Sequence, residues 1–124
     1  MRSGLTTKKT AAALFLMLLG LVTYLSLTPS AHAISTYSWD KLNHAAAYAC
    51  LGVLLDMAFR SGTKTEFKLL GLFGYSIGME LCQHFIPHRQ FSYLDISANT
   101  AGLLAAWAVV LALKQTKLYR SLLD

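Results

Sequence analysis

The stretch 94–113, LDISANTAGLLAAWAVVLAL, decides the fold because it continues for 20 residues without a lysine or an arginine. A helix rises about 1.5 Å per residue, so roughly 20 apolar residues cross the hydrocarbon core of a bilayer. Three other runs of similar length also lack basic residues, namely 10–28, 42–59 and 69–86. We therefore predict four transmembrane helices, which together form a single domain covering 1–124.

The basic residues are sorted between the segments that connect these runs. Nine of the eleven precede the first run, lie between the second and third, or follow the fourth, and only Lys41 and Arg89 lie on the opposite side. The nine are Arg2, Lys8, Lys9, Arg60, Lys64, Lys68, Lys114, Lys117 and Arg120. The positive-inside rule then places both termini and the middle loop in the cytoplasm. Short connections predict an all-α, up-down bundle of four helices.

The composition supports a polytopic membrane protein and excludes a nucleic-acid-binding domain. The chain is 55% hydrophobic and 14% charged, whereas soluble domains are about 25% charged. Its formal net charge of +5 is explained by topology and by attraction to anionic lipid headgroups, and the sequence has no basic stripe interleaved with aromatic residues. We expect membrane lipids as partners, no nucleic acid and no cofactor, and the sequence leaves the oligomeric state open.

The first apolar run resembles a signal peptide in two respects, its basic start and the small residues Ala31 and Ala33 after it. A signal-peptide core usually has 7–15 apolar residues, and this run is longer. We expect the segment to be retained as a helix, although cleavage after Ala33 stays open. The orientation of the remaining helices is the same in both cases.

Spacing within single helices predicts local contacts. Asp56 lies four residues before Arg60, which predicts an interfacial ion pair on one helix face. Gly74 and Gly78 form a GxxxG pattern, which predicts close packing within the chain rather than dimerisation. The fourth helix contains several residues small enough for tight interhelical contact: Ala98, Ala101, Gly102, Ala105, Ala106 and Ala108.

Unusual polar residues gather at the extracytoplasmic ends of the predicted helices. An ionised carboxylate costs roughly 2.5–3.5 kcal/mol at the centre of a membrane helix, so such groups should face inward and pair. Arg89 is the expected partner of Glu80 or Asp95, and its guanidinium could also hold a phosphate. The predicted binding pocket consists of Asp40, Lys41, His44, Tyr48, Glu80, Gln83, Arg89, Asp95 and Asn99.

Three functions are compatible with this pocket, and we predict binding of an envelope lipid or glycolipid headgroup. A membrane-embedded hydrolase or transferase would use Glu80, His44 and Asp95, with Glu80 as the base. A metal-dependent variant would add His84 to those three residues, although no metal is our main expectation. No GxSxG or HExxH motif supports catalysis. The third alternative is a structural membrane subunit, whose polar residues only hold the bundle together.

The same residues also resemble the signatures of the VanZ-like membrane family. The first signature is Asp40-Lys41-Leu42-Asn43-His44, followed by Tyr48 and Leu51-Gly52. The second signature runs from Glu80-Leu81-Cys82-Gln83 through 87–92, PHRQFS, to 95–102, DISANTAG. The stretch 25–29, LSLTP, also matches the usual end of the first helix in this family. The resemblance extends from about Leu25 to Gly102.

This resemblance implies a multi-pass protein of the bacterial inner membrane that is linked to the cell envelope. The resemblance assigns a site role to eight of the nine pocket residues and leaves out Tyr48, although Tyr48 belongs to the first signature. Three positions depart from it: Ala45-Ala46 replaces bulkier residues, and His88 and Ala106 replace glycines. We expect these departures to alter the shape of the pocket. The namesake of the family is associated with teicoplanin resistance, which we do not transfer to this chain.

Overall fold

Four long helices and one short helix make up the described parts of this computed structural model. It describes the backbone of residues 2–27, 37–59, 64–86 and 93–123, and the side chains of 5–27, 42–59, 64–86 and 93–121. The helices are α1 (Arg2–Leu27), α2 (Tyr37–Ala58), α3 (Thr65–His84), α4 (Tyr93–Lys114) and α5 (Lys117–Leu123). No strand occurs among the described residues. The predicted all-α fold class is therefore confirmed.

Each of the four long helices begins before the apolar run that predicted it, and α1, α2 and α3 end one or two residues before their runs end. α1 begins at residue 2 rather than 10, because Lys8 and Lys9 end the apolar run while lysine is itself a good helix former. α5 was not predicted at all. It follows a break at residues 115–116 and is capped by Thr116, whose Oγ1 accepts a hydrogen bond of 3.2 Å from the Tyr119 amide.

Two of the helices are long and apolar enough to cross a membrane. They are Leu5–Leu27 and Tyr93–Lys114, with mean hydropathies of 2.1 and 1.8. The apolar part of α2, Leu42–Ala58, is shorter. Large apolar side chains remain exposed on these helices, for example Met17 at 71%. Water-soluble proteins rarely expose large contiguous apolar patches, whereas a lipid environment favours them.

The hydrophobic core lies where the four long helices meet. Each helix contributes to one buried cluster, which consists of Phe15, Tyr48, Leu51, Leu72 and Leu103. α2 contacts α1, α3 and α4, and its most extensive contact is with α4. The core thus centres on α2, the helix that also contributes His44 and Tyr48 to the predicted pocket.

Small residues allow α2 and α4 to approach each other closely. A Cβ atom added to Gly102 would lie 2.2 Å from the backbone oxygen of Ala45, and one added to Gly52 would lie 2.6 Å from the Cβ of Ala106. Both distances are too short for non-bonded atoms. The prediction of tight packing by small residues of the fourth helix is confirmed at Gly102 and Ala106. Ala45 and Ala106, two of the departures from the family pattern, therefore contribute to this helix contact.

Among the described residues, the glycines of α3 do not pack against another helix. A Cβ atom added to Gly71, Gly74 or Gly78 would have nothing within 4 Å, so the prediction of intrachain packing by Gly74 and Gly78 is wrong. The reason lies in the orientation of α3, which turns a different face inward. That buried face consists of Lys68, Leu72, Ser76, Glu80 and Gln83.

Candidate functional site

Five polar residues of α2, α3 and α4 form what we call the polar layer: His44, Glu80, Gln83, Asp95 and Asn99. The residues Glu80, Gln83 and Asn99 are only 2%, 3% and 1% exposed to solvent, and Asp95 is 9% exposed. The positions follow from helical periodicity, since Glu80 and Gln83 share one face of α3, and Asp95 and Asn99 share one face of α4. Glu80, Gln83, Asp95 and Asn99 face inward, as the sequence predicts, and His44 is half-buried.

Hydrogen bonds in the polar layer connect different helices. His44 Nδ1 lies 3.0 Å from Asn99 Oδ1, and because an amide oxygen only accepts, Nδ1 donates in this arrangement. Gln83 Nε2 donates to the backbone oxygen of Ser26 at 2.9 Å. Ser26 lies in the last turn of α1, where carbonyl groups lack intrahelical donors. The layer therefore joins α2 to α4 and α3 to α1.

Hydroxyl groups extend the polar contacts from the polar layer toward the middle of the helices. Tyr48 is 2% exposed, and its ring centroid lies 6.4 Å from that of Tyr75. Glu80 is close enough to Tyr48 to interact with it electrostatically. The Tyr75 hydroxyl is hydrogen-bonded to Thr23, whose own hydroxyl donates to the Leu19 carbonyl. Thr23 and Tyr75 were not among the predicted site residues, because isolated hydroxyls give no pattern in the sequence.

Three of the nine predicted pocket residues cannot be placed. Arg89 lies outside the described residues, and so does its predicted pairing with Glu80 or Asp95. Asp40 and Lys41 belong to α2, but their side chains are not described. For the alternative metal site, His84 is exposed, and among the described residues no three His, Cys, Asp or Glu side chains lie close enough to hold a metal ion.

A second buried polar group, which we call the Asp56 cluster, lies at the opposite end of α2. It consists of Asp56, Thr65, Lys68, Lys114 and Tyr119. Asp56 Oδ1 accepts from Thr65 Oγ1 at 2.7 Å and from Lys68 Nζ at 3.1 Å, and its Oδ2 accepts from the Tyr119 hydroxyl at 2.9 Å. Lys114 Nζ donates to Thr65 Oγ1 at 2.9 Å. The cluster thus joins α2, α3, α4 and α5.

The Asp56 cluster contains an ion pair that the sequence did not predict. Asp56 is 1% exposed and forms a buried salt bridge with Lys68 of α3. The predicted partner, Arg60, lies outside the described residues. The sequence did contain a signal for Lys68, since Lys68, Leu72, Ser76 and Glu80 recur every four residues and so share one face. If α3 crosses a membrane, as the sequence predicts, a lysine on the same face as Glu80 is expected to face the bundle interior.

The two polar groups are separated along the helices. His44 and Asp56 are 12 residues apart on α2, which corresponds to about 18 Å. Lys68 and Glu80 have the same separation on α3. The apolar side chains of Leu51 and Leu72 are buried between them. The fold therefore has one hydrophilic group near each end and an apolar region in its middle.

The described residues form a helical protein in which two helices are long and apolar enough to cross a membrane. A protein-family model described as VanZ/LLP1 matches residues 6–114. The chain belongs to the VanZ/LLP1 family, as its sequence signatures predicted. No curated protein and no solved structure shows a significant match to it.

Proposed function

We propose that this protein crosses the bacterial inner membrane four times and binds the polar headgroup of an envelope lipid or glycolipid at its extracytoplasmic end. Family membership and two helices of spanning length support a membrane protein. The alternation of basic residues between connecting segments supports four spans, with both termini in the cytoplasm. Under this topology the polar layer faces outward and the Asp56 cluster lies near the cytoplasm.

Contacts at the helix ends support the up-down arrangement. At one end, the start of α3 (Thr65) contacts residues near the ends of α2 (Asp56) and α4 (Lys114). At the other, the end of α3 (Gln83) contacts the end of α1 (Ser26). These contacts fit α1 and α3 running in one direction and α2 and α4 in the other.

The topology can be tested by labelling introduced cysteines. In a background with Cys50→Ala and Cys82→Ala, a membrane-impermeant maleimide should label Ser35→Cys in intact spheroplasts. It should label Ser61→Cys only after the membrane is permeabilised, because the positive-inside rule places that loop in the cytoplasm. Labelling of Ser61→Cys in intact spheroplasts would contradict the orientation and, with it, the outward-facing pocket.

The observation that carries the binding proposal is the burial of Glu80, Asp95 and Asn99 at the predicted outer end. Lipid chains offer such groups no hydrogen bonds, so intramembrane ionisable residues usually serve a function. Carboxylate and amide groups can select the hydroxyls and amides of a sugar or peptide headgroup. Arg89 and Lys41, which the sequence places on the same side, supply the positive charge that a lipid phosphate requires.

One observation favours a purely structural role as the competing function. His44–Asn99 and Gln83–Ser26 are both interhelical hydrogen bonds, and such bonds stabilise membrane bundles by about 0.6–2 kcal/mol each. If the polar layer only stabilises the bundle, substitutions in it would lower the stability of the protein, and no ligand would be bound to the wild type. Ligand retention and thermal stability therefore have to be measured on the same variants.

Native mass spectrometry provides this test on protein extracted from bacterial membranes in mild detergent. We expect a lipid with a polar headgroup to co-purify with the wild type. Glu80→Gln and Asp95→Asn should reduce its occupancy at least about tenfold, the loss that corresponds to about 1.4 kcal/mol of binding free energy. Both substitutions preserve shape, so the unfolding midpoint should change little.

Ser97→Ala is the matched control, because Ser97 lies on the same turn of α4 as Asp95 but is exposed. It should retain the lipid at the wild-type level. The proposal fails if no lipid co-purifies, or if Glu80→Gln and Asp95→Asn keep it. Loss of stability without any bound lipid would support the structural role instead.

A further inference from the structure

An apolar groove of about 410 Å³ lies between α3 and α4, outside the polar layer and the Asp56 cluster. Its lining includes Leu70 and Phe73 from α3, and Leu104 and Trp107 from α4. The size falls within the range of small-molecule and cofactor pockets, about 300–1,000 Å³. Leu70 and Leu104 are 62% and 58% exposed, so the groove is open to whatever surrounds the helices.

The groove reaches the end of the fold that contains several lysines. Glu66, in the first turn of α3, lines it, and the neighbouring Thr65 accepts a hydrogen bond from Lys114 Nζ. Lys114 follows Trp107 by two helical turns, or about 10 Å. The side chain of Lys64, which precedes α3, is exposed.

The charges at this end leave a positive excess. The carboxylate of Asp56 is neutralised by Lys68, with which it forms a buried salt bridge. Among the other described residues there, the positive charges of Lys64 and Lys114 are opposed by the carboxylate of Glu66, and Lys117 adds a further exposed positive charge at the start of α5. An apolar groove that ends in a positive region matches a ligand with a hydrocarbon chain and an anionic head.

We propose that this groove binds an anionic phospholipid of the cytoplasmic leaflet, with an acyl chain between α3 and α4 and the phosphate near Lys64 and Lys114. Basic pockets between transmembrane helices on the cytoplasmic side bind such headgroups in other membrane proteins. The proposal rests on the membrane orientation given above but not on the headgroup pocket at the outer end. It therefore assigns a second lipid, of a different class, to the other leaflet.

Trp107 provides a direct probe of the groove. The chain has two tryptophans, so Trp39→Phe leaves Trp107 as the single fluorophore. This variant is reconstituted into phosphatidylcholine vesicles that contain a small, equal fraction of brominated phosphatidylglycerol or brominated phosphatidylcholine. The anionic lipid should be enriched at Trp107 about fivefold, the attraction expected for one lysine near an anionic headgroup, and should quench its fluorescence correspondingly more.

Charge variants test the headgroup contact. Lys114→Gln should largely remove the difference between the two lipids, and Lys64→Gln, which leaves the Lys114–Thr65 contact in place, should reduce it. Glu66→Gln should increase it, because a repelling carboxylate is removed. Lys9→Gln is the matched control, since Lys9 is an exposed lysine on α1 and lies outside the groove. This control should keep the full preference.

Four results would overturn the proposal. Equal quenching by the two lipids would show that the groove does not select anionic headgroups. An equal loss in Lys9→Gln and Lys114→Gln would show a general surface-charge effect. Weak quenching by both lipids together with dimers in native mass spectra would show that a second copy fills the groove. Absence of quenching by either lipid in a monomer would contradict the membrane placement as well.

Discussion

Gly102→Ala should destabilise the protein strongly, by about 3 kcal/mol or more, at the upper end of the range for overpacked cores. The added Cβ would lie 2.2 Å from the backbone oxygen of Ala45. A flexible side chain could move away from this contact, but a helix backbone cannot do so unless α2 and α4 separate. Separation would weaken the most extensive helix contact of the fold and would also pull His44 away from Asn99.

The measurement is the unfolding midpoint in detergent, compared among alanine variants of three glycines. Gly74→Ala is the matched control, because a Cβ there meets nothing within 4 Å, and replacing a helix glycine by alanine stabilises by roughly 0.5–1 kcal/mol. Gly52→Ala should fall between the two, since its new Cβ would meet the Ala106 Cβ at 2.6 Å. Equal midpoints for Gly102→Ala and Gly74→Ala would contradict the close approach of α2 and α4.

Asp56→Ala should destabilise the fold by about 3–5 kcal/mol, the usual cost of breaking a buried ion pair by removing one partner. The Lys68 side chain is only 6% exposed, so its ammonium would remain buried without its counter-charge. The hydroxyls of Thr65 and Tyr119 would also lose their acceptor. The same loss should release α5, which contributes Tyr119 to the cluster, and make it accessible to proteases.

Two further variants separate the charge effect from packing. Asp56→Leu combined with Lys68→Met removes both charges and should recover much of the stability, because apolar replacement of a buried ion pair is often neutral or favourable. Glu66→Ala removes an exposed carboxylate and should cost less than about 1 kcal/mol. A midpoint for Asp56→Ala that equals that of Glu66→Ala would contradict the structural role of the cluster.

The sequence predicted the number and location of the long helices because a membrane helix depends on local composition. A run of about 20 residues without basic side chains is visible without any knowledge of the fold. The same reasoning missed α5, which has seven residues and is held by Tyr119. Its stability comes from tertiary contacts, as it does for most short helices, and these have no local pattern.

Interhelical contacts were predicted less well than helices, for a physical reason. The i,i+4 rule sees only neighbours on one helix, so it predicted Arg60 as a partner of Asp56, a pairing that lies outside the described residues. It missed Lys68, which belongs to another helix and forms a salt bridge with Asp56. The GxxxG pattern likewise does not reveal which face turns inward. The positions of polar residues do indicate the inward face of a membrane helix, because polar groups avoid lipid. On α3, Lys68, Ser76 and Glu80 lie on the buried face, and Gly74 and Gly78 do not.

The polar layer was partly predictable. The burial of Glu80, Gln83, Asp95 and Asn99 follows from the cost of polar groups in lipid. The contact between His44 and Asn99 follows from their similar depth on neighbouring helices. The contact of Gln83 with the Ser26 backbone could not be predicted, because every residue has a carbonyl group and the sequence does not show which carbonyls lack a donor.

Under the proposed four-span topology, the contact of α2 with α4 has a consequence for the order of membrane insertion. α3 separates these helices in the chain, and a ribosome adds about 5–20 residues per second. Ala45 and His44 are therefore made several seconds before Gly102 and Asn99. During that time the imidazole of His44 has no amide from α4 to bind. We expect the insertion machinery to shelter α2 until α4 arrives, so the helices would enter the lipid together rather than one at a time.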